Sequence, residues 1–197
     1  MEYRIKTDEL TQTLQVWDEF LPGRGIIRLV ACGGTALTLM GYKESTKDVD
    51  FLVPEPEEYK RLVDFLAKAG YQQMTQYGWK RDGETILFDL FPGKRIYVTE
   101  LLNSPLARGG SQEWKVWKKI KVSILNPMDI IISKMFRGTE VDIQDSLLLL
   151  LKENINLKKL QKRYRETAQY EIGEAKVLRN LEILLKRWQE AKHEKRK

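Results

Sequence analysis

Cysteine and histidine are almost missing from this chain of 197 residues, which has one of each, Cys32 and His193. A lone cysteine rules out an internal disulfide, and the two together leave too few ligands for a zinc site built from Cys and His. Long apolar runs are missing as well. The longest, Leu147–Leu151, falls far short of the roughly 20 residues needed to cross a bilayer, and no membrane association is expected. The opening residues Met1-Glu2-Tyr3-Arg4-Ile5-Lys6 lack the basic-then-apolar order of a secretory signal, so a cytoplasmic protein is expected. Internal repeats and low-complexity tracts are also absent outside the last few charged residues.

An apolar fraction of 42% and an aromatic fraction of 10% are enough for a packed core. The net charge of +6 is unevenly placed. From Lys152 onward there are 14 Lys or Arg against 7 Glu, leaving 20 basic and 21 acidic residues in 1–151. The basicity therefore belongs to the C-terminal segment. It is open to two readings, a surface for RNA or another polyanion and ordinary solvated helix faces of mixed sign.

Periodicity predicts a helix over Asp8–Phe20, a strand over Ile26–Ala31 and a helix over Thr35–Met40 closing at Gly41. A strand over Asp48–Val53 and a helix over Pro56–Ala69 follow. Two further strands, Tyr77–Arg81 and Thr85–Phe91, flank the turn signal Asp82-Gly83. Tyr97–Asn103 has no clear period, and Trp114–Trp117 with Lys119–Leu125 reads as another hairpin. From Asn126-Pro127 the pattern is helical, with segments at Met128–Phe136, Val141–Asn154, Leu157–Tyr170 and Gly173–Lys192. The expectation is an α/β (α+β) chain with a mixed sheet flanked by helices over 1–125 and a helical region over 126–197.

The chemistry concentrates in Ala31-Cys32-Gly33-Gly34-Thr35-Ala36-Leu37 and, after a gap of twelve residues, Asp48-Val49-Asp50-Phe51. Side chains on a strand alternate faces, so Asp48 and Asp50 share one side while Val49 and Phe51 enter the core. Two crowded carboxylates repel each other unless a cation relieves them. Magnesium commonly takes one or two carboxylates together with substrate phosphates. Gly33 and Gly34 let backbone approach phosphate closely where a helix begins, and Thr35 adds a hydroxyl. Asp89, inside the apolar run Ile86–Phe91, is costly to bury unless paired or metal-bound. On a neighbouring strand it would complete a site of three carboxylates for two metal ions, one steadying a triphosphate and the other activating an oxygen.

At these residues the sequence resembles the nucleotidyltransferase superfamily related to DNA polymerase beta. Gly33-Gly34-Thr35-Ala36-Leu37 with Thr46-Lys47-Asp48-Val49-Asp50 resembles its abortive-infection (type IV toxin) and minimal members. The resemblance implies a nucleotidyltransferase-like mixed sheet, dependence on Mg2+ and transfer of a nucleotidyl group from a nucleoside triphosphate such as ATP to a hydroxyl. It implies Asp48, Asp50 and Asp89 as metal ligands and catalytic residues, with Asp89 as base, and Gly33, Gly34 and Thr35 as triphosphate contacts. Lys47, just before Asp48, is a further phosphate candidate. Asn126-Pro127-Met128-Asp129-Ile130-Ile131-Ile132-Ser133-Lys134 and Asp142-Ile143-Gln144-Asp145 resemble the abortive-infection helix with its lysine and the following Asp-x-x-Asp. On that footing Lys134 is a triphosphate contact, and the two aspartates share a helix face, where they orient Lys134, Arg137 or the interdomain seam. RNA (tRNA) or a protein is the implied acceptor, and a toxin–antitoxin setting would add an antitoxin partner. Two other functions stay open: a non-catalytic nucleotide- or partner-binding module of the same fold, and a small-molecule (antibiotic-type) nucleotidyltransferase. Trp114 and Trp117 with Lys115, Lys118 and Lys119 either close a hairpin over the core or stack a base.

Overall fold

The structure is a computed structural model that describes residues 4–194. Met1–Tyr3, where the N-terminal reading begins, lie outside the described residues. Chain contacts divide it into two compact units, Met1–Arg95 with Asn103–Asn126, and Ile96–Leu102 with Pro127–Lys197. Among the described residues no helix is long and apolar enough to cross a membrane.

The first unit is built on a mixed seven-stranded sheet with strand order β3-β4-β5-β2-β1-β9-β8. Its strands are β1 (Ile27–Ala31), β2 (Val49–Val53), β3 (Tyr71–Gln73), β4 (Gly78–Arg81), β5 (Phe88–Pro92), β8 (Ser111–Val116) and β9 (Ile120–Leu125). Helices α1 (Thr7–Phe20), α2 (Gly33–Leu39) and α3 (Pro56–Lys68) complete it. β1 runs antiparallel to β2 and parallel to β9, and β2 runs parallel to β5. A parallel neighbour needs a crossover connection. Between β2 and β5 that connection carries α3, whose Leu62, Phe65 and Leu66 are buried. The helical spacing of these residues is the reason this stretch packs as a helix.

Trp17 of α1 packs on Phe88 of β5 with ring centroids 4.6 Å apart, and its indole N–H donates to Tyr71 Oη at 3.3 Å. Beside it, Asp18 is buried and its carboxylate accepts the backbone N–H groups of Lys118, Lys119 and Ile120. An aspartate on a helix thus ties the β8–β9 turn to α1 and satisfies donors that would otherwise be orphaned. The β8–β9 hairpin turns where predicted, but β8 begins at Ser111, three residues before the expected Trp114, and carries an irregularity between Glu113 and Lys115. Lys115 Nζ lies 4.9 Å from the Trp117 ring centroid and 6.0 Å from that of Trp114, a cation–π arrangement on a half-exposed face.

Two strand readings change. β3 was not foreseen, since it is three residues long with two exposed glutamines. The strand expected from Thr85 starts only at Phe88, because its partner β2 begins at Val49, opposite Phe88.

The second unit is helical: α4 (Pro127–Arg137), α5 (Glu140–Lys152), α6 (Leu157–Ala168) and α7 (Glu174–Glu194). The short strand β7 (Thr99–Glu100), which pairs with β6 (Arg95–Ile96), also belongs to it. Pro127 opens α4, as its fixed φ favours. Gly138, at φ +68, turns the chain into α5, and a Cβ there would stand 2.2 Å from Asn180 Nδ2, so glycine is required twice over. Asn180 Nδ2 donates to Met135 O at 2.8 Å, and Tyr164 Oη donates to Val177 O at 2.7 Å, both buried.

Asp129 of α4 is buried and accepts from Arg163 of α6 at 2.7 Å. Burial pushes its carboxyl from 3.8 up to about 6 against the opposing charge and hydrogen bond of Arg163. A raised folded value stabilises below the unfolded one and is lost as pH rises through about 6. Between pH values near these two limits Asp129 is expected to withdraw on the order of 2–3 kcal/mol of stability. Chemical denaturation across that range, with Asp129→Asn alongside, should show a flatter pH slope in the variant.

Candidate functional site

The parallel register of β2 and β5 sets Asp50 directly opposite Asp89. Residues aligned in a parallel pair project to the same face, with strands about 4.8 Å apart. Phe88, one residue earlier, faces Trp17 of α1, so Asp89 turns to the opposite face, together with Asp50. Both are largely buried, Asp50 at 9% and Asp89 at 6% exposure. Asp48 immediately precedes β2, two residues before Asp50 and thus on the same side, and is half-exposed.

Two threonines fix this segment. Thr35 Oγ1 accepts from Asp50 N at 2.8 Å and donates to Asp48 O at 3.3 Å. Thr46 Oγ1 donates to the same Asp48 carbonyl at 2.9 Å. The Thr35 hydroxyl, expected to meet phosphate, is therefore engaged in aligning the Asp48-Val49-Asp50 backbone. Thr46 does the same; the sequence motif Thr46–Asp50 included it, but nothing in the sequence assigned it this role.

The glycines also have partners within the fold. A Cβ on Gly33, at φ +54, would stand 2.3 Å from Asp50 Oδ2. One on Gly34 would stand 2.5 Å from Thr46 Oγ1. Gly78 on β4, aligned with Asp89, plays the matching part on the other side: a Cβ there would stand 3.1 Å from Asp89 Oδ1. Each buried carboxylate is thus seated against a glycine backbone. Gly33→Ala is expected to displace the Asp50 carboxylate and to impose a strained φ. Chemical denaturation should show a loss of about 1–3 kcal/mol in the variant, the usual cost of such strain.

The remaining candidates lie apart in the chain. Lys47 is exposed in the segment leading into β2. Lys134, in the second unit, is only 3% exposed, with Nζ 2.8 Å from Asp145 Oδ2 and 3.5 Å from Asp142 Oδ1. Its engagement is with these two carboxylates, and its assignment to phosphate rests on the resemblance alone.

Among the described residues no group of three or more His, Cys, Asp or Glu side chains forms a preassembled metal cage. The donor set nevertheless suits magnesium, which takes hard oxygen ligands, usually one or two carboxylates completed by phosphates and water. Asp50 and Asp89 provide such a pair.

A mixed sheet with Gly-Gly-Thr opening a helix after one strand, Asp-x-Asp entering the next and an aspartate in register on the third is the arrangement of a nucleotidyltransferase-like domain. Residues 113–196 match the family described as "Nucleotidyltransferase of unknown function (DUF6036)". The match falls on the hairpin and the helical unit, outside the carboxylate motif, so two separate stretches point to similarity with the same class. No curated protein matches the chain.

Proposed function

We propose that this protein transfers a nucleotidyl group from a nucleoside triphosphate to an acceptor hydroxyl in a magnesium-dependent reaction. The observation that carries this reading is the register of Asp50 against Asp89, each carboxylate resting against a glycine. The family similarity over residues 113–196 supports it independently. Asp48, Asp50 and Asp89 would hold magnesium, which when bound neutralises triphosphate charge and makes an attacking hydroxyl easier to ionise.

In the transfer, the acceptor oxygen bonds to the α-phosphorus and the bond from that phosphorus to the bridging oxygen breaks, releasing pyrophosphate. The acceptor proton passes to a carboxylate. Asp89 suits this role by position, since it is buried on β5 directly opposite Asp50. Thr35 and Thr46 keep Asp48 and Asp50 aligned, and Lys47 offers an exposed positive charge near the phosphates. Catalysis then rests mainly on positioning and charge neutralisation. RNA is the favoured acceptor because the chain's excess positive charge lies in its helical segment.

The test is incubation with each of four α-labelled nucleoside triphosphates plus magnesium, with total RNA, soluble protein or an aminoglycoside as acceptor. Label is expected in RNA and should vanish on chelation of magnesium. Label in protein or in the aminoglycoside would move the acceptor. No label in any arm would remove the transferase reading.

A further inference from the structure

We propose that the solvent-facing side of α6, with the turn that follows it, is a docking surface for single-stranded RNA. Lys158 to Arg165 contains five cations and no anion. Arg163 is turned inward to Asp129, 2.7 Å away. Lys158, Lys159, Lys162 and Arg165 are all exposed. Lys158, Lys162 and Arg165 lie at i, i+4 and i+7, one stripe about 10 Å long at 1.5 Å rise per residue.

Helix energetics do not account for this placement. No acidic residue stands in the first turn of α6, where Lys158 and Lys159 face the positive end of the helix dipole. Within α6 the described ion pair is Lys162 with Glu166, at a loose 3.8 Å. The neighbouring helix provides a contrast: the exposed side of α7 alternates Glu174, Lys176, Arg179, Glu182, Lys186, Glu190 and Lys192, as a merely solvated face does.

The second observation is aromatic. Tyr170 and Ile172, in the turn directly after α6, are 81% and 108% exposed. An exposed ring five residues beyond Arg165, just past the end of α6, offers a surface on which an unpaired base can stack. Cations for phosphates and an aromatic platform for bases together describe a single-strand site. The Tyr170 hydroxyl and the exposed Gln169 amide offer partners for a ribose 2′-hydroxyl, which favours RNA over DNA.

This inference deepens the proposed function by giving an RNA acceptor a place to bind, yet its readout is binding rather than turnover. Fluorescence anisotropy of the full chain with a labelled single-stranded RNA of about 12 nucleotides would be followed between about 50 and 200 mM salt. Replacing Lys158, Lys162 and Arg165 together by Gln should weaken binding at least about tenfold and lower the log–log salt slope by about 2. Tyr170→Ala should weaken it about tenfold with the slope unchanged. A Lys176→Gln/Lys186→Gln variant on α7 should bind as the parent does, and so should Asp50→Asn even if it transfers nothing. A triple variant that binds as the parent does, an equal loss in the α7 variant, or tighter binding of DNA of the same sequence would each overturn the proposal.

Discussion

Asp50→Asn is expected to lower nucleotidyl transfer by about a thousandfold or more while leaving the fold intact. On the proposed reaction, the loss follows from removing one of the carboxylates that would hold magnesium, an effect worth several kcal/mol in the transition state. The fold should survive because the backbone holds this position. Asp50 N donates to Thr35 Oγ1 at 2.8 Å, and Asp50 O accepts from Cys32 N at 3.1 Å. Asparagine is isosteric and removes the like charge facing Asp89, so the melting temperature without magnesium should not drop. Magnesium with nucleotide should raise the melting temperature of the parent and not that of the variant, since a ligand stabilises only the state that binds it. Asp89→Asn should behave in the same way, but with nucleotide affinity better retained if its main part is to take the proton. An Asp50→Asn protein with full transfer would sink the assignment of these carboxylates.

Part of this site could be read before any coordinates. Asp48-Val49-Asp50 is legible because strand alternation fixes which side chains share a face, and Asp89 because an acid within Ile86–Phe91 calls for a reason. The register that sets Asp50 opposite Asp89 was not legible. It joins strands separated by α3, β3 and β4, and is decided by how Phe51, Leu52, Leu90 and Phe91 pack. The glycines and Thr35 were recognised as important, but for contacts with phosphate. Their close partners in the fold are Asp50, Thr46 and the Asp48–Asp50 backbone, which only the three-dimensional arrangement brings together. Asp18 was passed over because a charged residue on an amphipathic helix ordinarily faces water. Its reason for burial is a trio of backbone donors about a hundred residues later. Tyr97–Asn103 showed no period because Ile96–Leu102 joins the second unit through β7 and α4, a pairing that local pattern does not encode.

The buried charges of the second unit should have as large an effect on stability as Asp50 and Asp89 are expected to have on transfer. Asp142 is fully buried and accepts from Arg137 Nη2 at 2.5 Å, Arg137 Nε at 3.1 Å and Thr139 Oγ1 at 2.7 Å. It also closes the capping box that starts α5, and lies 3.5 Å from the buried ammonium of Lys134. Burial alone would raise its pKa, but hydrogen bonds from Arg137 and Thr139 and the charges of Arg137 and Lys134 outweigh that and hold it below the usual carboxylate value. Asp142→Ala would leave Lys134 sharing its buried charge with Asp145, while the first turn of α5 loses a cap. Breaking a buried charge network by removing one partner costs about 3–5 kcal/mol, and a lost cap adds roughly 1 kcal/mol. Asp142→Asn should cost less, because its amide oxygen can still accept from Thr139. The linkage has a definite sign: a depressed folded pKa gives stability that is present above the unfolded value and lost as pH falls through the folded one. Denaturation of the parent should therefore show this contribution intact at neutral pH and fading below the usual carboxylate range. In Asp142→Ala the loss should be present already at neutral pH, with a shallower acid limb. Hydrogen exchange would locate the effect, with protection falling first in α4 and α5 while β1, β2 and β5 keep theirs. Loss of protection in those strands instead would mean that the network does not act through the helical unit.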